Sequence, residues 1–399
     1  MYKIIAIGNP EFPFKMLCKD QYEIIYIIDK DQHGKKKFVT GNPLIIVESF
    51  EEKNLRWVLE AICKERHIDA IVNFDEKNQL EINKIIKTLN YHHINLKSIE
   101  IANDKLKTRK AISELKIGHI PYIELDKQTS EKPLKDFIEE NGFPLIIKNR
   151  FGTGSSNLFL VNSINDYNEI SENINDNYIA EKYIPGNEFS AEYITLNGKH
   201  CLMAITDKST TEFPNFVECQ HIVNGEGYKY RNIIDLVMQQ FLNHIELNIG
   251  ISHTEFKIYN EEIYIIETHV RPGGDCIMDL IECASEVNPY FLYINCLLEN
   301  DEFVNKMILK LSHMHKSSGI RYIRSKSGVI KEITVNDKKI NSIDGYVRMY
   351  LPYKVGEKIH EFQNSFDRDG WIMAVGNSKN EVINALNDIE KEIIIEIEA

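Results

Sequence analysis

HTEFKIYNEEIYIIETHVRPGGD, residues 253–275, is the stretch on which the reading of this chain turns. Two runs rich in β-branched and aromatic residues, 254–259 and 263–270, flank the polar break Asn260-Glu261-Glu262, the pattern of a β-hairpin with a three-residue loop. With that loop Tyr259 pairs with Ile263, Lys257 with Ile265, and Glu255 falls directly opposite Glu267. Like charges side by side on neighbouring strands repel each other, so a positive group is expected between them. A divalent cation meets that need, and carboxylate oxygens with room left for phosphate oxygens and water suit Mg²⁺ or Mn²⁺. Strand alternation places Glu267, His269 and Arg271 on one face. Arg271 runs into Pro272-Gly273-Gly274-Asp275, where glycines let backbone N–H groups approach a ligand. The other reading of the pair is two solvated carboxylates on an open hairpin face, because a change of one residue in the loop slips the register.

A chain of 399 residues exceeds one ordinary core and is expected to form two or three domains. Its formal net charge of −13 argues against nucleic acid as partner, since phosphate binding is driven by Lys and Arg. The run Lys35-Lys36-Lys37 is short and reads as a solvated loop. The apolar run before Pro10 is too short for a signal peptide, and no later stretch is long and apolar enough to span a bilayer. The seven cysteines form no CxxC pair and are odd in number, so they read as reduced thiols of a cytoplasmic protein rather than a disulfide framework.

Apolar runs at 4–8, 23–29 and 70–74, with a helically spaced stretch at 55–67, read as alternating β and α elements around a parallel sheet. Asp29 would suit a ribose, but GNPEFPF after the first strand is not a GxGxxG loop. Asp75 and Glu76 follow the third strand, where open α/β sheets place ligand groups. They are candidates for a substrate ammonium or, equally, helix N-terminal carboxylates. Asp104 is a natural N-cap for a helix at 106–115, and Lys105, unfavourable in a first turn, implies an anionic neighbour.

A strand at 144–148 leads into Phe151-Gly152-Thr153-Gly154-Ser155-Ser156-Asn157 and a second strand at 158–161. Gly152, Gly154, Ser155 and Ser156 supply a flexible loop rich in N–H and O–H donors that suits phosphates. The other reading is a plain hairpin. Lys148 is an inward-pointing charge in an apolar run and needs an anionic partner. Strands at 178–183 and 188–195 bracket Pro185-Gly186, and Asn197-Gly198 turns into a further strand at 199–206. Glu181, Glu188 and Glu192 punctuate them as ribose acceptors or solvated edge residues. His313 and His315 alternate like strand ligands but have no third ligand in reach. Helical spacing recurs at 276–286 and 289–299, and the chain ends in short strands and an amphipathic helix from Lys379.

Taken together, DKLKTR at 104–109, GFPLIIKNRFGTGSSN at 142–157, EKYIPGNEFSAE at 181–192 and the 253–275 stretch resemble the ATP-grasp superfamily in order and spacing. The RPGGD ending and the tail FDRDGWIMAVGNSKNEVINAL resemble the L-amino-acid ligases, which are ATP-dependent carboxylate–amine ligases. The resemblance implies an α/β (α+β overall) ATP-grasp architecture. Its parts would be an amino-terminal Rossmann-like domain over 1–100, an ATP-grasp domain over 101–300 with a lid at about 120–183, and a carboxyl-terminal β-rich domain over 301–399. By motif position, Lys105 and Lys148 resemble the nucleotide-contacting lysines, and FGTGSSN at 151–157 resembles the glycine-rich loop that folds over phosphates. Glu181, Lys182, Tyr183 and Ile184 match the adenine-meeting segment, and Glu188 the ribose position. Glu255 and Glu267 match the metal-binding acids, and Arg271 the arginine that steadies the transferred phosphate. His269 stands where the family usually has Asn. Substrate candidates are Asp75, Glu76, His253, His269, Gly273 and Gly274.

The implied activity joins a carboxylate to an amine through an acylphosphate, with ATP and Mg²⁺ (or Mn²⁺) as cofactors and small molecules as partners. No nucleic acid or membrane partner is implied, and a homodimer is common among such families. The rivals are a biotin-carboxylase-like enzyme, whose run after the metal strand is missing here, a nucleotide-precursor ligase, and an ATP-binding module without turnover. Retention of Glu255, Glu267 and Arg271 together speaks against the last.

Overall fold

A computed structural model describes residues 1–8, 21–35, 43–125, 131–151, 158–174, 177–211, 217–323, 327–360, 365–368 and 370–398. The isoleucine-rich runs near the amino terminus form a parallel sheet in the order Leu44–Val47, Tyr22–Asp29, Tyr2–Ile7, Ala70–Asn73. Such strands are covered on both faces, and the helices Glu52–Glu65 and Gln79–Thr88 bury Leu55, Leu59, Ile82 and Ile85 against Ile5, Ile7, Ile25 and Ile27. This matches the expected alternation of strand and helix. The turn leaving Ala70–Asn73 ends at the edge of a second, larger sheet.

That sheet has eight antiparallel strands in the order Glu262–His269, Gly250–Tyr259, Asn187–Leu196, Lys199–Thr210, Glu218–Val223, Ser317–Tyr322, Trp371–Gly376, Tyr346–Tyr350. The last three come from the carboxyl-terminal part of the chain, which therefore extends the sheet that carries the hairpin. Alternation along the strands sorts two cores. Ile194 and Ile251 pack with Ile277, Ile281 and Leu292 of two helices, while Tyr193 and Phe256 pack with Ile234, Met238 and Phe241 of Arg231–His244. A third sheet, Tyr122–Leu125, Tyr178–Lys182, Leu145–Asn149, Leu158–Val161, is antiparallel and has its own core around Phe137, Ile147 and Ala180. Lys358–Ile359, Gly328–Val335 and Ile393–Glu398 form a small fourth sheet, the last of these strands following the helix Lys379–Lys391.

The hairpin departs from expectation in its loop and meets it in its register. Tyr259 pairs with Glu262, not Ile263, so the turn has two residues, Asn260 and Glu261, with φ of 50° and 65°. Positive φ at both central positions is the geometry that matches strand twist in a two-residue hairpin. Lys257 accordingly faces Tyr264 rather than Ile265. A register shift beyond Glu255–Phe256, which leaves Ile266 unpaired, then restores Glu255 to its place opposite Glu267. The Arg109 guanidinium donates to the carbonyls of Ile265 and Ile266, each at 2.6 Å, and so fixes the bulge.

Candidate active site

The hairpin, the third sheet and the carboxyl-terminal segment enclose a cavity of about 490 Å³, lined by Lys105, Lys148, Glu255, Glu267, Arg271 and Arg368 among others. Asp104 caps its helix by accepting from Leu106 N at 3.0 Å, which delivers Lys105 to the site. Its Nζ lies 3.0 Å from Glu267 Oε2, the anionic neighbour that its unfavourable first-turn position implied. Lys148 lies 2.8 Å from Glu181, the partner its inward direction required. Glu181 is also held by Arg109 Nε at 2.6 Å, so its carboxylate is committed to two cations.

Glu255 and Glu267 are both partly covered rather than solvated, and the protein sets its own cations beside them. Lys208 Nζ lies 2.5 Å from Glu255 and 3.0 Å from Glu188. Burial works toward protonating Glu255 and Glu267, but the Lys208 charge on the first and the Lys105 charge on the second outweigh it. Both carboxyls are held well below the usual range. His253 lies between Glu192, at 2.7 Å, and Glu255, at 3.2 Å. Burial lowers its pKa, but the hydrogen bonds to those two acids prevail and raise it to about 9. His269 likewise lies 2.6 Å from Glu76 and 3.1 Å from Glu267. Two ionised carboxylates side by side on one strand pair, facing a cavity, are hard donors that fit Mg²⁺ or Mn²⁺ when phosphate oxygens complete the shell. Among the described residues no group of three or more His, Cys, Asp or Glu forms a ready-made metal cage. His313 and His315 are exposed beyond the end of the helix Asp301–Ser312 rather than on a strand.

Of the other expected residues, Glu76, Lys182, Tyr183, Ile184, Glu188, His253, His269 and Gly274 line the cavity, and Asp75 and Gly273 are not among its lining residues. Asp75 is consumed in its own turn, accepting from Asn78 N at 2.7 Å and from Gln32 Nε2 at 2.9 Å. Gly273 packs on His253, where an added Cβ would come within 3.0 Å of Nδ1. The Lys182 and Tyr183 N–H groups donate to Pro121 and Pro144 carbonyls, and the Ile184 carbonyl accepts from Lys257 Nζ at 3.2 Å. Gly152, Gly154, Ser155 and Ser156 lie outside the described residues.

Sequence reasoning missed a second charged wall. Arg368 grips Asp275 through both terminal nitrogens, at 2.9 and 2.8 Å, and stacks over Tyr322. His221 Nε2 lies 2.9 Å from the same carboxylate, and Ser365 donates to Glu218 at 2.5 Å. Lys208 was marked only by a charged pair, Asp207-Lys208, at the end of an apolar strand. Arg109 looked like one more cation among Lys107 and Lys110, although it is almost wholly buried.

Residues 141–279 match a family model described as an ATP-grasp domain, and residues 321–398 match the L-amino acid ligase C-terminal domain 2. The chain thus carries an ATP-grasp domain followed by a domain of the L-amino acid ligase C-terminal kind. This ATP-grasp protein is 24% identical over 291 residues to an L-arginine-specific L-amino acid ligase of Bacillus subtilis, covering 69% of this chain and 68% of that one. It is 23% identical over 278 residues to a carbamoyl-phosphate synthase of Methanobrevibacter smithii, covering 67% and 72%. In fold it is similar to a crystal structure of L-amino acid ligase from Bacillus licheniformis, with a TM-score of 0.82, 19% identity, and coverage of 100% and 99%. No helix among its described residues is long and apolar enough to cross a membrane.

Proposed function

We propose that this ATP-grasp protein is a cytoplasmic ligase that joins the carboxylate of an amino acid to an amine through an acylphosphate, releasing ADP and phosphate. The observation that carries the reading is the convergence on one cavity of Lys105, Lys148 and Arg271 with the ionised pair Glu255 and Glu267. The match of residues 321–398 to an L-amino acid ligase domain favours amino acids over nucleotide precursors. Within this reading residues 1–100, 101–300 and 301–399 are the three domains, and the sheet of Tyr122–Leu125, Tyr178–Lys182, Leu145–Asn149 and Leu158–Val161 belongs to the lid.

Acyl transfer of this kind needs charge placement rather than a protein nucleophile. Lys105 and Lys148 bind phosphate oxygens, the 181–184 segment receives the adenine and Glu188 the ribose. Glu255 and Glu267 would hold Mg²⁺ or Mn²⁺, which supplies neutralisation of phosphate charge when bound. Arg271 steadies the oxygens of the phosphoryl group as the substrate carboxylate attacks, and the amine then displaces phosphate from the acyl carbon. By motif position, the role of covering the phosphates and keeping water from the acylphosphate is assigned to Gly152, Gly154, Ser155 and Ser156. The test is incubation with ATP, Mg²⁺ and a panel of amino acids, singly and in pairs. ADP formation that depends on the amino acid is the expected result. Tight ATP binding with no ADP under any pairing would replace the ligase with a nucleotide-binding module.

A further inference from the structure

One turn of the amino-terminal sheet grips three consecutive residues of the ATP-grasp sheet. Gln79 Nε2 donates to the buried Val270 carbonyl at 2.7 Å. On either side of Val270, the Glu76 carboxylate takes His269 Nδ1 at 2.6 Å on one oxygen and Arg271 Nε at 2.9 Å on the other. The turn itself is stiff. Asn73 and Asp75 exchange side-chain and backbone hydrogen bonds at 2.9 and 3.0 Å, and Asp75 caps Asn78. Arg271 has a second anchor, Nη1 to the Pro272 carbonyl at 2.9 Å. Among the described residues no hydrogen bond occupies Nη2, which leaves that nitrogen for an anion in the cavity that Arg271 lines.

We propose that Glu76 is a positioning residue for the reaction: from a separate sheet it orients Arg271 and His269, and it does not bind the substrate ammonium. Both carboxylate oxygens are already engaged, each by a cationic or polar group of the site. The claim rests on the ligase reading for its kinetic arm and is independent of it for its spectroscopic arm.

The experiment compares the full chain with its Glu76→Gln variant, which keeps the size of the side chain and removes its charge. In the kinetic arm, kcat for amino-acid-dependent ADP formation is expected to fall about 10- to 100-fold, the usual effect of removing an orienting partner. KM for ATP and for the amino acids should change less than about threefold, because binding contacts are untouched. Combining Glu76→Gln with Arg271→Lys should cost clearly less than the product of the two single losses, since Glu76 acts in part through Arg271. A rise in amino-acid KM at unchanged kcat, additive with Arg271→Lys, would make Glu76 a substrate ligand and overturn the proposal. In the spectroscopic arm, the Arg271 Nε–H resonance, identified by its disappearance in Arg271→Lys, should exchange slowly in the unmodified protein and rapidly in Glu76→Gln. An unchanged exchange rate contradicts the proposal whether or not the chain is a ligase, and absence of ADP formation by the unmodified protein counts against the ligase reading alone.

Discussion

Two columns of acid, imidazole and acid stand side by side, each with its imidazole and inner acid on the hairpin: Glu192, His253, Glu255 and Glu76, His269, Glu267. Their rings stack with centroids 6.1 Å apart, and their inner acids are directly opposed. The difference lies in the outer acid. Glu192 is supplied by the neighbouring strand Asn187–Leu196, is completely buried, and also accepts from Ser190 at 2.7 Å and Thr206 at 3.1 Å. Glu76 arrives from another sheet and its side chain is 31% exposed. Like chemistry is thus wired into the central sheet in one column and borrowed across a sheet boundary in the other. Damage to the first should register mainly in folding, and damage to the second mainly in chemistry.

The largest effect is expected where the columns share their purpose. Glu267→Gln should lower the turnover number about 10³-fold or more while leaving the fold intact, checked by ADP formation beside circular dichroism. A variant with turnover near that of the unmodified protein would detach the inner acids from catalysis.

The outer acids should then separate the columns. Glu192→Ala takes from a buried imidazolium the closer of its two carboxylates and should cost about 3–5 kcal/mol of stability, whereas Glu76→Ala, nearer the surface, should cost about 1 kcal/mol or less. Equal shifts of the urea midpoint would erase the contrast.

Acidity sharpens it further. His253 is raised to about 9 from 6.5, so the stability its charge supplies is complete below the unfolded value and is lost as pH rises through about 9. Glu76 is lowered to about 2 from 4.5: burial opposes the shift, but the His269 hydrogen bond and the Arg271 charge prevail. Its contribution is complete above the unfolded value and lost as pH falls through about 2. Thermal melts without added divalent metal should therefore lose their alkaline limb in His253→Asn and part of their acid limb in Glu76→Gln.

The smallest effect belongs to the adjacent glycines. Gly273→Ala presses on the His253 ring, whereas a Cβ at Gly274 meets nothing within 4 Å. The first should lower Tm measurably, and the second should change stability by less than about 0.5 kcal/mol.

How far the site was legible follows from which residues share a local pattern. Alternation and turn chemistry operate over a few residues, so the opposition of Glu255 and Glu267 was readable, as was the need of Lys148 for an anion. The loop length was misjudged, yet the register of the acids survived because a bulge at Ile266 offsets the shorter turn. Nothing local announces such a bulge; it depends on Arg109, far away in sequence, capping the carbonyls. Lys208, Arg368 and Asp275 were missed for the same reason. Their partners lie on strands and loops that meet only once the eight-stranded sheet is assembled, and a single lysine or arginine in the sequence looks like any solvated cation. Asp75 illustrates the converse: it follows a sheet strand where ligand groups often sit, and its local hydrogen bonds consume it instead.

The central claim is that the inner acids of the two columns share a divalent cation with the phosphates of a nucleotide. Anomalous diffraction from crystals grown with Mn²⁺ and ADP tests it most directly. The account expects a manganese peak within coordination distance of both Glu255 and Glu267, with the phosphates on its cavity side. A peak elsewhere, or a nucleotide bound in another cleft while both carboxylates keep only their lysine and histidine partners, would contradict it.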